Sequence, residues 1–523
     1  MEMIVYMTEA KKSVADRIVW QADLENGFYQ NPILHADYSD PDVVRVGKDY
    51  YMVSSSFHMS PCLPILHSTD LVNWKIINHV AQTLPYASYD KPRHGEGVWA
   101  PSIRYHEGKF WVFFSAPDEG IFMSTAVDPA GEWTPLHLVK KVKGWIDPCP
   151  FWDDDGQAYL VNAFAKSRTG FKSILHVSRM KPDGTELLDE GVHVFDGTKH
   201  HPTIEGPKFY KRNGYYYIFA PAGGVPTGWQ TILRSRNIFG PYEDKIVLHQ
   251  GNTNINGPHQ GGWVETETGE SWFLHFQDKE AYGRIVHLQP MHWVNDWPVM
   301  GQNQNDAGIG EPVIQWEKPK AQVSSEVVVP DMSDDFTSDT LGLQWQWQAN
   351  RKSHWYKLKD QSLRLYAVGH SGETNLYHIP NVMTQKFPAE TFKVTTKLTF
   401  SPEFNEDHSG LIVLGEQYAS IEVRKLENQL GVFYVTGDEK ELQNVQCIGK
   451  IKGNELFLHV EVNEGAICRF SFSEDGISFV QAEDIFEATP GKWVGAQIGI
   501  YCYNDNRENS NGYADFDYFS VHN

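Results

Sequence analysis

Five short segments in the N-terminal half of the chain place proline within two residues of a side chain able to do chemistry. They are Tyr38-Ser39-Asp40-Pro41-Asp42, Val98-Trp99-Ala100-Pro101, Ile146-Asp147-Pro148, Ile204-Glu205-Gly206-Pro207 and Gly257-Pro258-His259-Gln260. Singly, each reads as a turn or as packing. Three of them hold a carboxylate immediately before Pro or Gly-Pro, and three carboxylates gathered in one pocket can cleave a glycosidic bond. That reaction needs a carboxylic acid to protonate the leaving oxygen and a carboxylate that either activates water or attacks the sugar. Glu205 suits the first task and Asp40 the second. A shorter Asp and a longer Glu on different elements across a pocket stand well apart, leaving room for a water and favouring inversion. Asp147 then has an electrostatic task, because its charge raises the pKa of a neighbouring carboxyl and keeps Glu205 protonated near neutral pH. The bland alternative makes all three solvated turn residues capping strand ends.

Other candidates surround this trio. Arg284, in Tyr282-Gly283-Arg284-Ile285, begins a strand and can hold a sugar hydroxyl or Asp40, or else form a surface ion pair. His259 can hydrogen-bond pocket water, help hold an ion, or serve as a satisfied structural histidine. Phe57 and Trp99 are candidate walls for a sugar ring, with ordinary packing as the alternative.

The elements that must position these residues announce themselves by repetition. A turn glycine introduces a short aromatic strand at Gly47-Lys48-Asp49-Tyr50-Tyr51, Gly108-Lys109-Phe110-Trp111, Gly156-Gln157-Ala158-Tyr159, Gly214-Tyr215-Tyr216-Tyr217 and Gly269-Glu270-Ser271-Trp272. A further strand-like run follows each, at 65–68, 121–124, 174–177, 231–234 and 285–288. Each repeat has room for four short strands and their turns. The expectation is therefore an all-β protein opening with a five-bladed β-propeller over residues 28–316, closed on itself with no long open sheet edge. The aromatic strands are expected to be innermost, so that the segments ahead of them converge on one axial pocket. Residues 317–334 read as a linker. From Asp335-Phe336 to Asn523, alternating runs such as Phe392 to Leu398 and Leu456 to Val462 predict an antiparallel β-sandwich over 335–523.

Composition narrows the partners. Lys and Arg total 45 against 67 Asp and Glu, a net charge of −22 that repels nucleic acid and anionic membrane surfaces. A neutral small oligosaccharide fits this charge, and 17 Trp with 24 Tyr supply flat faces for sugar rings. Five scattered cysteines suggest neither a disulfide framework nor a zinc site. No metal site is read among the pocket residues and no cofactor is required. The stretch Asn504-Asp505-Asn506-Arg507-Glu508-Asn509 reads as either a structural calcium site or a hydrophilic hairpin. Met1 to Gln21 is a mixed polar stretch without the apolar core of a secretory signal, and no run reaches membrane-spanning length. The expected compartment is cytoplasmic, or periplasmic or secreted where a signal segment has been removed. The sequence assigns no oligomeric state.

Taken in order and spacing, these motifs resemble glycoside hydrolase family 43, especially its β-xylosidase and α-L-arabinofuranosidase members with an appended C-terminal sandwich. Asn31-Pro32-Ile33-Leu34 through Asp42 is similar to the family's opening motif, whose Asp before Pro is the general base. Trp99-Ala100-Pro101 and Gly144-Trp145-Ile146-Asp147-Pro148 resemble the next two signatures, the latter carrying the pKa-modulating carboxylate. Ile204-Glu205-Gly206-Pro207 matches the general-acid motif, Gly283-Arg284 the segment of the active-site Arg, and Gly257-Pro258-His259 that of the axial His. The resemblance implies an inverting exo-hydrolase that releases terminal xylose or arabinose from plant hemicellulose-derived oligosaccharides such as xylan fragments. It also implies a concanavalin-like jelly roll for the second domain, which packs on the propeller and lends a loop to the pocket rim, with Trp493 and the Asn504 to Asn509 stretch as candidates. Three other readings compete: a non-catalytic glycan-binding propeller, an interaction scaffold, and a retaining fructan-type hydrolase on a related propeller.

Overall fold

The computed structural model describes residues 18–321, 326–370, 372–427, 429–506 and 510–523, and so covers neither most of the N-terminal stretch nor Arg507, Glu508 and Asn509 of the proposed calcium loop. Five four-stranded antiparallel sheets follow one another, each with its strands in chain order. Blade 1 runs through Asp42–Val46, Asp49–Val53, Cys62–Ser68 and Lys75–Ala81, and blade 2 through Trp99–His106, Lys109–Ala116, Gly120–Ala126 and His137–Lys141. Blade 3 comprises Trp145–Trp152, Ala158–Phe164, Ile174–Met180 and Val192–Asp196, and blade 4 Lys208–Arg212, Tyr215–Ala222, Trp229–Ser235 and Glu243–His249. Gly261–Glu265, Ser271–Asp278, Arg284–Val294 and Trp297–Met300 make blade 5. The expected count of five is met.

One expectation needs correcting. The glycine-led aromatic strands are second in each blade, and another strand comes before each and lies against the axis. The repeated glycine turns the chain from first strand to second. Gly47, Gly108, Gly156, Gly214 and Gly269 all have φ between 63° and 82°, the left-handed region that side chains disfavour. For Gly47, Gly108 and Gly156 a Cβ would meet nothing, so conformation rather than space demands glycine there. The axial segments therefore stand immediately before, or at the start of, the first strands.

The ring is clasped by Phe28–Gln30, which pairs antiparallel with Gln315–Glu317 beyond blade 5. Asn31 reinforces the clasp, its side-chain amide donating to the carbonyls of Leu288 and Val313, both at 2.8 Å.

The chain enters the second domain at Asp334, which bridges Phe519. Two eight-stranded sheets pack face to face there, and the alternation read in the sequence shows at Phe392–Ser401, whose side chains are alternately buried and half-buried as it pairs with Glu455–Asn463. The two domains share a core. Ala281, Tyr282 and Ile285 of blade 5 belong to the same buried cluster as Trp345, Trp347 and the sandwich interior. Main-chain hydrogen bonds in both directions join Ser60 to Trp347, at 2.7 and 3.0 Å. An interface with this much buried apolar surface and backbone pairing holds the sandwich in one position over the propeller face.

Candidate active site

Asp40, Phe57, Ala100, Asp147 and Trp493 all have φ between 30° and 67°, an uncommon conformation for residues with side chains. Asp40 and Asp147 also precede proline, which disfavours compact backbone at the preceding residue. Strain of this kind persists only where the surroundings enforce it, and it clusters at functional sites. For Asp147 the local cause is visible. The pairing of blade 3's first two strands skips a register between Ile146 and Cys149, and this bulge aims Asp147 at the axis. Blade 2 repeats the device between Trp99 and Ser102.

Asp40 is 5 % exposed and Asp147 4 %, so neither is a solvated turn residue. Ser39 and Ser55 donate their hydroxyls to Asp40 Oδ2 at 2.9 and 2.6 Å. Arg284 Nη1 reaches the same carboxylate at 3.3–3.4 Å and donates to Ser39 Oγ at 2.8 Å. Ser55 is itself held by the Ala100 N–H at 2.8 Å, which links blades 1 and 2. Two hydroxyls and a guanidinium thus converge on one carboxylate.

The opposite carboxyls sit differently. Asp147 accepts one hydrogen bond, from the Gly206 N–H at 2.8 Å. Burial pushes its carboxyl well above the ordinary aspartate range, Asp40's charge adds to the rise, and the Gly206 N–H with the Lys208 and Arg284 charges opposes it. Glu205 is pushed up too, first by burial and then by Asp147 and Asp40, against the pull of Arg284 and Lys172. Its side chain keeps 26 % of its surface open to the pocket, so the carboxyl is enclosed yet reachable. The sequence reading assigned the rise at Glu205 to Asp147's charge. Burial comes first and Asp147's charge second, and Asp147 is itself raised, chiefly by burial.

His259 Nε2 stands 3.5 Å from Glu205 Oε1. Burial and the Arg284 charge push its imidazole down to about 3, so it faces the acid as a neutral ring. Among the described residues no group of three or more His, Cys, Asp or Glu side chains is placed to hold a metal ion.

Aromatic rings wall the entrance. Phe57 and Trp99 meet edge to face with centroids 6.4 Å apart, and Trp493 of the sandwich meets Trp99 at 6.1 Å. The Arg284 guanidinium lies 6.0 Å from the Phe57 ring and 5.8 Å from that of Trp493. Trp493 remains 46 % exposed, available to a ligand. Its loop is anchored beside Arg284: Asp37 accepts from the Arg284 N–H at 2.9 Å with one oxygen and from the Gly495 N–H at 3.0 Å with the other. Gly283 and Gly495 lie back to back, and a Cβ on Gly283 would come within 2.6 Å of the Gly495 nitrogen.

All seven residues expected at the pocket thus lie around one axial site. Sequence reasoning missed Ser55 and Asp37, whose types carry no signal alone, and Lys208. That lysine is fully buried beneath the site, where its Nζ donates to the Pro101 carbonyl at 2.7 Å and Ser102 Oγ at 2.8 Å. Its place in Glu205-Gly206-Pro207-Lys208 was the available clue. With Lys208 and the Arg104–Asp42 pair (2.6 Å) filling the axis below, the pocket is blind and admits a chain end.

A family model described as glycosyl hydrolases family 43 matches residues 29–298, and one described as beta xylosidase C-terminal concanavalin A-like domain matches 333–522. A protein of Xylanibacter ruminicola that carries the provisional name beta-xylosidase is 43% identical over 91% of this chain and 86% of its own. A non-reducing end alpha-L-arabinofuranosidase of Bacteroides ovatus is 28% identical over 96% of both chains. The crystal structure of a family 43 protein of Bacillus licheniformis superimposes with a TM-score of 0.81 at 26% identity, covering 95% of this chain and 99% of that one.

Proposed function

The chain belongs to glycosyl hydrolase family 43, and on that premise we propose that it removes the terminal β-D-xylosyl unit of xylan-derived oligosaccharides by direct displacement with water. It is an exo-acting glycoside hydrolase of the β-xylosidase and arabinofuranosidase type. In our reading Asp40 is the general base, Glu205 the general acid, and Asp147 the residue that tunes Glu205. The observation that carries this assignment is the contrast between the carboxyls: donors converge on Asp40, whereas burial and neighbouring charge favour the protonated form of Glu205.

The terminal sugar enters between Phe57, Trp99 and Trp493, with Arg284 beside its hydroxyls. Glu205 gives its proton to the glycosidic oxygen as the bond to the anomeric carbon breaks. A water on the opposite face of the ring, deprotonated by Asp40, forms the new bond, so the released sugar has the inverted configuration. A non-catalytic glycan receptor has no use for this opposed trio.

Xylose is preferred here because the 43% identical relative carries the β-xylosidase name. The arabinofuranosidase relative supports the second reading, an arabinofuranoside substrate. Kinetics on the nitrophenyl β-D-xylopyranoside and α-L-arabinofuranoside, compared side by side, separate the two. At least a tenfold higher kcat/KM on the xyloside is expected, and equality or reversal would overturn the preference.

Two further outcomes follow from the site. Trp493→Ala should lower kcat/KM for xylobiose roughly tenfold, the equivalent of about 1.4 kcal/mol, mainly through KM, because an exposed stacking face is lost while the acids stay in place. Steady-state kinetics with a thermal melt check this, and an unchanged KM would remove Trp493 from the sugar site.

Asp147→Asn keeps the local shape but deletes the charge that helps hold the proton on Glu205. A raised pKa keeps an acid active to higher pH, so lowering it makes the active form disappear sooner. The alkaline limb of the kcat/KM profile should move to lower pH while staying above the free-glutamate range, since burial remains. An unmoved limb would leave Asp147 as a turn residue only.

A further inference from the structure

At the propeller face opposite the catalytic pocket, the first strands of all five blades end around a second cavity of about 380 Å³. Each blade contributes one run of three residues: 43–45, 104–106, 150–152, 209–211 and 263–265. Blade 2's first strand runs from Trp99 at the catalytic rim to His106 at this far mouth. At about 3.3 Å per residue Trp99 and His106 lie roughly 23 Å apart, and Asp147 and the cavity-lining Pro150, on blade 3's first strand, about 10 Å apart. Lys208, bonded to the Pro101 carbonyl, and Arg104, paired with Asp42, lie on the first strands between the catalytic segments and this mouth.

The cavity's chemistry is specific. Its walls are rings: Trp152 lies parallel to His106 with centroids 4.5 Å apart, Phe151 stacks on Phe209 at 5.0 Å, and Tyr210 meets Trp263 edge to face at 5.2 Å. Two of its three cations are compensated: Arg104 pairs with Asp42, and Lys211 with Asp153 and Asp154, whereas Arg45 donates to the neutral main-chain carbonyls of Glu265 at 2.6 Å and Gly47 at 2.7 Å. An anionic ligand would meet no unbalanced cation cluster, and a purely apolar one would strand the guanidinium and ammonium groups at the wall. The volume lies within the roughly 300–1,000 Å³ range of small-ligand clefts, and aromatic faces with a few polar groups are the usual lining of such sites.

We propose that this far mouth is a second, non-catalytic binding site for a neutral saccharide, holding a sugar unit against the Trp152–His106 stack beside Arg45 while the catalytic pocket works on a chain end. The choice of a xylose-based ligand rests on the β-xylosidase reading above; the existence of the site does not.

The test is equilibrium dialysis of xylobiose against the full-length Asp40→Asn protein, which should hold substrate without turning it over. Two xylobiose molecules per chain are expected at saturation, falling to one when Trp152→Ala or Arg45→Ala is added. Either far-mouth change in the otherwise native enzyme should leave kcat/KM on the nitrophenyl xyloside within about twofold. Arg45→Ala guards against misfolding of the Trp152 variant, since Arg45 donates to two main-chain carbonyls on the propeller face. A parent ratio of one, or a ratio of two untouched by both changes, overturns the proposal. Failure of the catalytic reading would show separately, as a native enzyme that does not cleave the xyloside.

Discussion

Glu205→Ala should lose roughly 10²–10⁴-fold in kcat on xylobiose, whose leaving sugar needs a proton, yet retain most of its activity on an aryl xyloside with a strongly acidic phenol. The work of a general acid becomes dispensable when the leaving group departs as a stable anion. The alkaline limb of the pH–rate profile should vanish with the same change, because the group that Asp147 and its buried surroundings keep protonated is gone. Rates on leaving groups of graded acidity, for native and variant enzyme, decide it. A variant impaired equally on all of them would mean that Glu205 is not the proton donor.

Asp40→Asn should lose at least as much on every leaving group, with no rescue by the good ones, because activation of water is needed whatever departs. Asn is the cleaner replacement, since it tolerates the left-handed backbone at φ 53° and can still accept from Ser39 and Ser55. Asp40→Ala would add backbone strain and leave the two hydroxyls and Arg284 with no side-chain acceptor at that position. Should Asp40→Asn recover activity on the activated aryl glycoside while Glu205→Ala does not, the two roles are exchanged.

Much of this site was legible because its signals are local. Proline beside Asp40 and Asp147 and after Gly206, repeated once per blade, marks where the chain turns into the axis, and the glycines of the following turns mark the blades. The order of strands within a blade was not legible. First strands such as Asp42–Val46 and Lys208–Arg212 are short and mixed, so the aromatic second strands drew attention as innermost. Contacts made across the chain were equally silent. Ser55, fifteen residues from Asp40, and Asp37, which joins Arg284 to a sandwich loop, are ordinary residue types whose importance lies only in where the fold brings them. Trp493 could be suspected of reaching the rim, but its packing on Trp99 depends on how the two domains share their core.

Asp40 and Glu205 lie on different blades, and inversion requires them about 6.5–9.5 Å apart, against about 5–5.5 Å for a retaining pair. Proton NMR of the first sugar released from an aryl β-D-xyloside, recorded before mutarotation, reports the outcome of that arrangement directly. Initial appearance of α-xylose, with the β anomer growing in later, is the expected result; β-xylose appearing first would contradict single displacement by water and the pairing of Asp40 as base with Glu205 as acid.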